Sequence, residues 1–149
     1  QLPPNMKFDA ARIEGFLKLL PKGIRQAIEV RNATFADPAF IDLLKAHNVA
    51  LVIADTAEWP YADQTADFTY CRLQGPPGGE HYSSAQLDTW AQNFNALSAG
   101  KTIDGKFVAP MRGVQPQRDV FAYFVSTDKP NAPRNALGIQ ERLGIAPAA

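Results

Sequence analysis

Glu29 and Arg31, then Asp55, then Arg72 and Gln74 are the residues whose types and spacing can do chemistry. Each group sits at or near the C-terminal end of an apolar run that reads as a strand, over residues 26–31, 50–54 and 68–75. Two carboxylates and two arginines converging on one rim suit two tasks. Glu29 or Asp55 can act as general acid or base, and Arg31 and Arg72 can hold an anionic group. An arginine in a buried strand is costly unless it is paired, so Arg72 must face a carboxylate or a polar cavity. The competing reading is a salt-bridge network that neutralises itself and serves only folding. Buried charges tend to gather at sites, which favours the functional reading.

Other candidates carry less. Tyr70 shares a strand face with Arg72 and Gln74, and with Tyr123 it would line the wall of a pocket. His81 lies in the loop after the central strand, on the edge where a catalytic histidine would sit, although a lone loop histidine is more often solvated. Trp59 and Tyr61 can stack on a sugar or base, but loop aromatics also pack on their own domain. Residues 75–79 offer backbone amides without the lysine and spacing of a phosphate-binding loop. Asp128 and Asn131 follow the last strand and suit a turn equally well. Cys71 points away from Arg72, under a helix, and is rejected as a nucleophile. His47 reads as a helix-end residue. Two histidines and one cysteine far apart make no familiar zinc pattern, nothing supports an oxygen-ligated magnesium site, and no cofactor is implied.

These residues need a scaffold that lines up strand ends. Asp9 can cap a helix carrying Ile13, Phe16, Leu17 and Leu20, which stops before Pro21. Asp37-Pro38 is a strong helix start ahead of Phe40, Ile41 and Leu44. Residues 50–54 are apolar on both faces, as in a buried parallel strand. The run 68–75 alternates, with Thr69, Cys71 and Leu73 opposite Tyr70, Arg72 and Gln74. Ser83 and Gln86 resemble a capping box, opening a helix with Leu87, Trp90, Ala91, Phe94 and Leu97, and Gly100 follows it. Residues 100–118 have no period and read as a long surface loop, residues 120–125 as a last strand, and 132–143 as a final helix before Gly144. Strands alternating with helices predict a parallel α/β sheet.

The 149 residues suffice for one domain with a core. Fifteen basic and fifteen acidic residues cancel, so no global field draws the chain to nucleic acid or membrane, and nucleic acid is disfavoured as a partner. No apolar run approaches the roughly 20 residues that span a bilayer. No signal peptide is visible, and the chain opens on Gln1 rather than Met. A single cysteine fits a reducing, cytoplasmic setting.

Five short motifs occur in order: Gln1-Leu2-Pro3-Pro4, Glu29-Val30-Arg31, Ala54-Asp55-Thr56, Tyr70-Cys71-Arg72-Leu73-Gln74-Gly75 and Asp119-Val120-Phe121-Ala122-Tyr123-Phe124. Together they resemble the YecE-like family, also called domain of unknown function 72, over nearly the whole chain. The resemblance implies a TIM-like (β/α) barrel, here about its C-terminal half, with polar residues lining a pocket at the C-terminal face of the strands. It implies no established activity. Many members carry a histidine where this chain has Gln74, which cannot shuttle protons near neutral pH, and asparagines where it has Val125-Ser126. An open half-barrel would expose two strand edges, so the chain is expected to be a piece of a longer protein or to close with a second copy, with a rearranged compact sheet as the less favoured third option.

Two functional readings follow. In the first, the pocket binds or hydrolyses a small anionic or phosphorylated ligand, with Arg31 and Arg72 as clamp and Glu29 and Asp55 as acid and base. In the second, the protein is a non-catalytic binding or assembly protein whose polar interior is structural.

Overall fold

The computed structural model describes residues 1–76, 81–111, 115–125 and 130–145. Helices begin where side chains can satisfy orphan backbone amides. Asp9 accepts from the Arg12 N–H and opens α1 (Ala10–Leu19). Asp37 caps α2 (Pro38–Ala46), whose proline occupies a first-turn position that needs no donor. Ser83 and Gln86 form a reciprocal capping box at the start of α3 (Ser84–Ser98). The last helix, α4 (Asn131–Leu143), stops at Gly144, whose positive φ of 67° suits a residue without Cβ. Gly100 after α3 is likewise left-handed, and a Cβ there would collide with the Gln115 carbonyl.

The strands are β1 (Gln26–Ile28), β2 (Val49–Leu51), β3 (Ile53–Ala54), β4 (Phe68–Leu73) and β5 (Asp119–Phe124). All pairings are parallel, β1 with β2, β3 with β4, and β4 with β5. The expected strand over residues 50–54 is thus one run shared between two sheets. Its break has a local cause. The Thr65 hydroxyl donates to the Val49 carbonyl (2.6 Å) and accepts from the Leu51 N–H (2.8 Å), occupying the β2 edge that would otherwise face β4. The Val52 N–H turns the other way, to the Ile28 carbonyl (2.9 Å). The strand expected over 26–31 keeps its ladder only to Ile28, and the Glu29 carbonyl accepts instead from the Leu2 N–H (2.9 Å).

Two apolar clusters flank these sheets. Phe8, Phe35 and Phe40 pack edge-on beside Ile13, Leu17, Ile41 and Leu44 under α1 and α2. Cys71 and Leu73 from the helix-facing side of β4 pack with Leu87, Ala91, Phe94 and Leu97 of α3 and Ile139 of α4. Phe16, expected on the buried stripe of α1, is exposed instead. The fold is therefore mixed α/β with parallel sheets, and the described strands do not close into a barrel.

The loop expected over 100–118 is anchored in its described first part. Asp63, 1% exposed, accepts from the Val108 and Ala109 N–H groups at 2.9 and 2.8 Å. The Ala62 N–H donates to the Lys106 carbonyl (2.8 Å), and the Gln64 side-chain amide to the Lys101 carbonyl (2.9 Å).

Candidate functional site

Strand alternation builds the site. Arg25, Ala27 and Glu29 project from the β1 run onto one face, and Phe68, Tyr70 and Arg72 from β4 do the same. With Gln1, Val52 and Phe121 they line an open cavity of about 490 Å³. At its rim Glu29 is 5% exposed and carries the polar network. Arg72 Nη1 donates to Glu29 Oε2 at 2.6 Å and to Gln1 Oε1 at 3.1 Å. Gln1 Nε2 donates to Glu29 Oε1 at 3.3 Å, and Arg31 Nε stands 3.5 Å from the same oxygen. One carboxylate thus faces two guanidiniums, each about a third exposed, and one positive charge of this cluster is left uncompensated.

Deeper in the cavity the wall is aromatic. Tyr70 stacks on Tyr123, with centroids 5.1 Å apart and planes 21° from parallel. Phe68 meets Phe121 edge-on at 5.9 Å. Arg25 lies over both of those rings, 5.4 Å from each centroid, and pairs with Asp119 at 2.7 Å. That last contact joins the first and last strands across the concave face. Burial raises the Tyr70 phenol above its ordinary range, with Tyr123 adding to the shift.

Asp55 lies apart from this network. Its Oδ1 accepts from the Gln74 N–H (2.6 Å), and its Oδ2 accepts from the Gly75 N–H (3.2 Å) and from the Tyr82 hydroxyl. The Gly75 N–H also donates to the Tyr82 oxygen (2.7 Å). Asp55 therefore ties the end of β4 to the start of α3, its lone pairs taken by donors of the chain itself. Burial, and then the hydrogen bond to Asp55, push the Tyr82 phenol far above its usual range. Tyr82→Phe is expected to lower stability by about 1–2 kcal/mol, because Asp55 keeps its two amide donors. A shift of the urea midpoint at constant slope measures it.

The remaining expectations divide. Glu29 and Arg72 meet directly and Tyr70 and Tyr123 form a stacked pair, but Arg31 and Tyr123 stand beside the cavity and do not line it. Gln74 contributes its backbone to Asp55 and does not line the cavity. His81 is exposed and away from the cavity lining. Trp59 is a correction: at 1% exposure, packed against Tyr61 within the core under α1 and α2, its indole has no face left for a ligand. Residues 77–79 of the glycine-rich run, Asp128 and Ser126 lie outside the described residues. Asn131 becomes the first residue of α4, and His47 ends α2 as expected. Among the described residues no group of three or more His, Cys, Asp or Glu could hold a metal ion. No described helix is long and apolar enough to cross a membrane.

Cys71 is fully buried, and desolvation raises its thiol from 9.0 to about 12. The folded chain keeps this proton at pH values where the unfolded chain has lost it. The stabilisation is full below about pH 9 and falls as pH rises toward 12. Ellman's reagent at pH 8 should therefore find no reactive thiol until denaturant is added. Rapid labelling of the native chain would contradict this burial.

Sequence reasoning missed three participants. Gln1 enters only as part of a motif with no role of its own, Arg25 precedes the β1 ladder, and Tyr82 pairs with Asp55 across 27 positions. Alternation from Glu29 back through Ala27 to Arg25 was the one signal that could have found Arg25.

The sequence matches the model of the family described as "Protein of unknown function DUF72" over residues 1–149. The chain belongs to the DUF72 family. Crystal structures of DUF72 proteins agree with its fold. One from Enterococcus faecalis V583 superposes with a TM-score of 0.74 at 18% identity, covering 99% of this chain and 58% of that one. One from Thermotoga maritima MSB8 gives 0.75 at 20% identity, covering 97% and 56%. This DUF72 chain thus spans somewhat over half the length of these relatives. At such identity the likeness carries the fold and no chemistry. No curated protein matches the chain.

Proposed function

We propose that the concave face is a binding site for a small anionic or phosphorylated ligand, held by Arg72 with Arg31 beside it. The observation that carries this reading is the imbalance at Glu29, where a buried carboxylate orders two guanidiniums, each about a third exposed, of which Arg72 lines the cavity and Arg31 stands beside it. Guanidiniums pre-oriented by a buried partner lose little freedom on meeting a second anion, and their planar donors suit phosphate or carboxylate. The cavity volume falls in the range of small-molecule sites. Glu29 orients the clamp and is the nearer candidate for acid/base work in a hydrolase, since it lines the cavity and Asp55 does not.

The same reading makes the sheet about the C-terminal half of a TIM-like (β/α) barrel. It is supported by two contacts that span the concave face, Glu29 to Arg72 and Arg25 to Asp119, which a flat sheet would hold apart. Closure then needs further strands beyond β5. Light scattering on the 149-residue chain tests a second copy as their source: a dimer supports it, and a monomer removes it.

Titrating the chain with inorganic phosphate at low ionic strength, followed by isothermal calorimetry, tests the site itself. Saturable binding that weakens steeply with added salt is expected. The absence of binding from micromolar to millimolar phosphate would overturn the reading.

A further inference from the structure

We infer that the ligand is an aromatic anion, a planar ring bearing a phosphate or carboxylate, with the ring along Tyr70 and Phe121 and the anionic group on Arg72. This rests on the anion-site reading above and narrows it. Below the rim the cavity is lined by Ala27, Val52, Phe68, Tyr70 and Phe121, with Arg25 over the two phenylalanine rings. Apart from the Tyr70 hydroxyl, the polar side chains that line it already have partners. Gln1 bonds Glu29 and Arg72, and Arg25 pairs with Asp119. A sugar would bring several hydroxyls to a wall where, among the described residues below the rim, the Tyr70 hydroxyl is the uncommitted polar group, and burying unpaired hydroxyls is costly.

A ring carries the opposite balance. Phe121 is 37% exposed although it faces the cavity, so apolar surface waits there to be covered. Tyr70 lies two residues from Arg72 on the same strand face, about 7 Å along β4, which matches the reach from an anionic group to a ring attached to it. Aromatic pairs gain beyond simple area burial when stacked or met edge to face, and the Tyr70, Phe68 and Phe121 rings offer both geometries.

The test compares three probes on the same chain by calorimetry: inorganic phosphate, glycerol phosphate and phenyl phosphate. Phenyl phosphate should bind about two- to tenfold tighter than the other two. Phe121→Leu should erase that preference, read as the ratio of the phenyl phosphate affinity to the inorganic phosphate affinity of the same sample. Phe121 stands on the edge strand and is part-exposed, so its replacement leaves the fold intact, and a circular-dichroism melt checks this. If all three probes bind alike and depend on Arg72, the ring inference falls and the anion site stands. If none binds, both fall.

Discussion

Glu29→Ala is expected to destabilise the chain by about 2–4 kcal/mol, read as a fall in the urea midpoint at unchanged slope. The substitution removes the acceptor of Arg72 and Gln1 and the counter-charge of Arg31, leaving two part-exposed guanidiniums without their shared carboxylate. The cost stays toward the lower end of what breaking a buried pair commands, because both arginines retain partial access to water. Glu29→Gln keeps the shape and an acceptor oxygen, so its cost should be smaller. The same variant carries a sign that separates roles. With the carboxylate neutralised, the uncompensated positive charge grows and phosphate affinity should rise several-fold. A purely structural network predicts lost stability and no change in affinity.

Asp63→Ala is the second large effect, expected at about 2–4 kcal/mol. This carboxylate is buried beneath the segment after α3 and accepts from two successive backbone amides, Val108 and Ala109. Alanine leaves both donors without a partner, at about 1–3 kcal/mol each, lessened where water can reach them. The loss should be local before it is global. Amide exchange at Val108 and Ala109 should accelerate more than exchange in β4. Uniform acceleration across the chain would contradict an anchoring role.

The elements were legible where a local signal sufficed. Asp9, Asp37-Pro38 and the Ser83/Gln86 box mark three helix starts within a residue, because capping is decided by neighbours one turn apart. Alternation likewise placed Tyr70 and Arg72 opposite Cys71 and Leu73. What failed depends on distance along the chain. Nothing near Trp59 announces that its indole will enter the core with Ile13 and Phe40. Asp55 reads as a rim carboxylate until the fold brings Tyr82 to it. Asp63 carries no local signal, since its partners lie some 45 residues away. The split of the strand at Val52 depends on a single threonine hydroxyl, Thr65, which no periodicity foretells.

Arg72→Met tests the central claim most directly, that the polar cluster is a ligand site rather than a folding device. Methionine keeps much of the aliphatic stem and removes the donors that meet Glu29 and Gln1. Phosphate affinity, measured by calorimetry beside the unfolding midpoint of the same sample, should fall at least tenfold, the least that losing a charge-assisted hydrogen bond implies. An unchanged affinity with only a shifted midpoint would contradict the account and leave the cluster as structural.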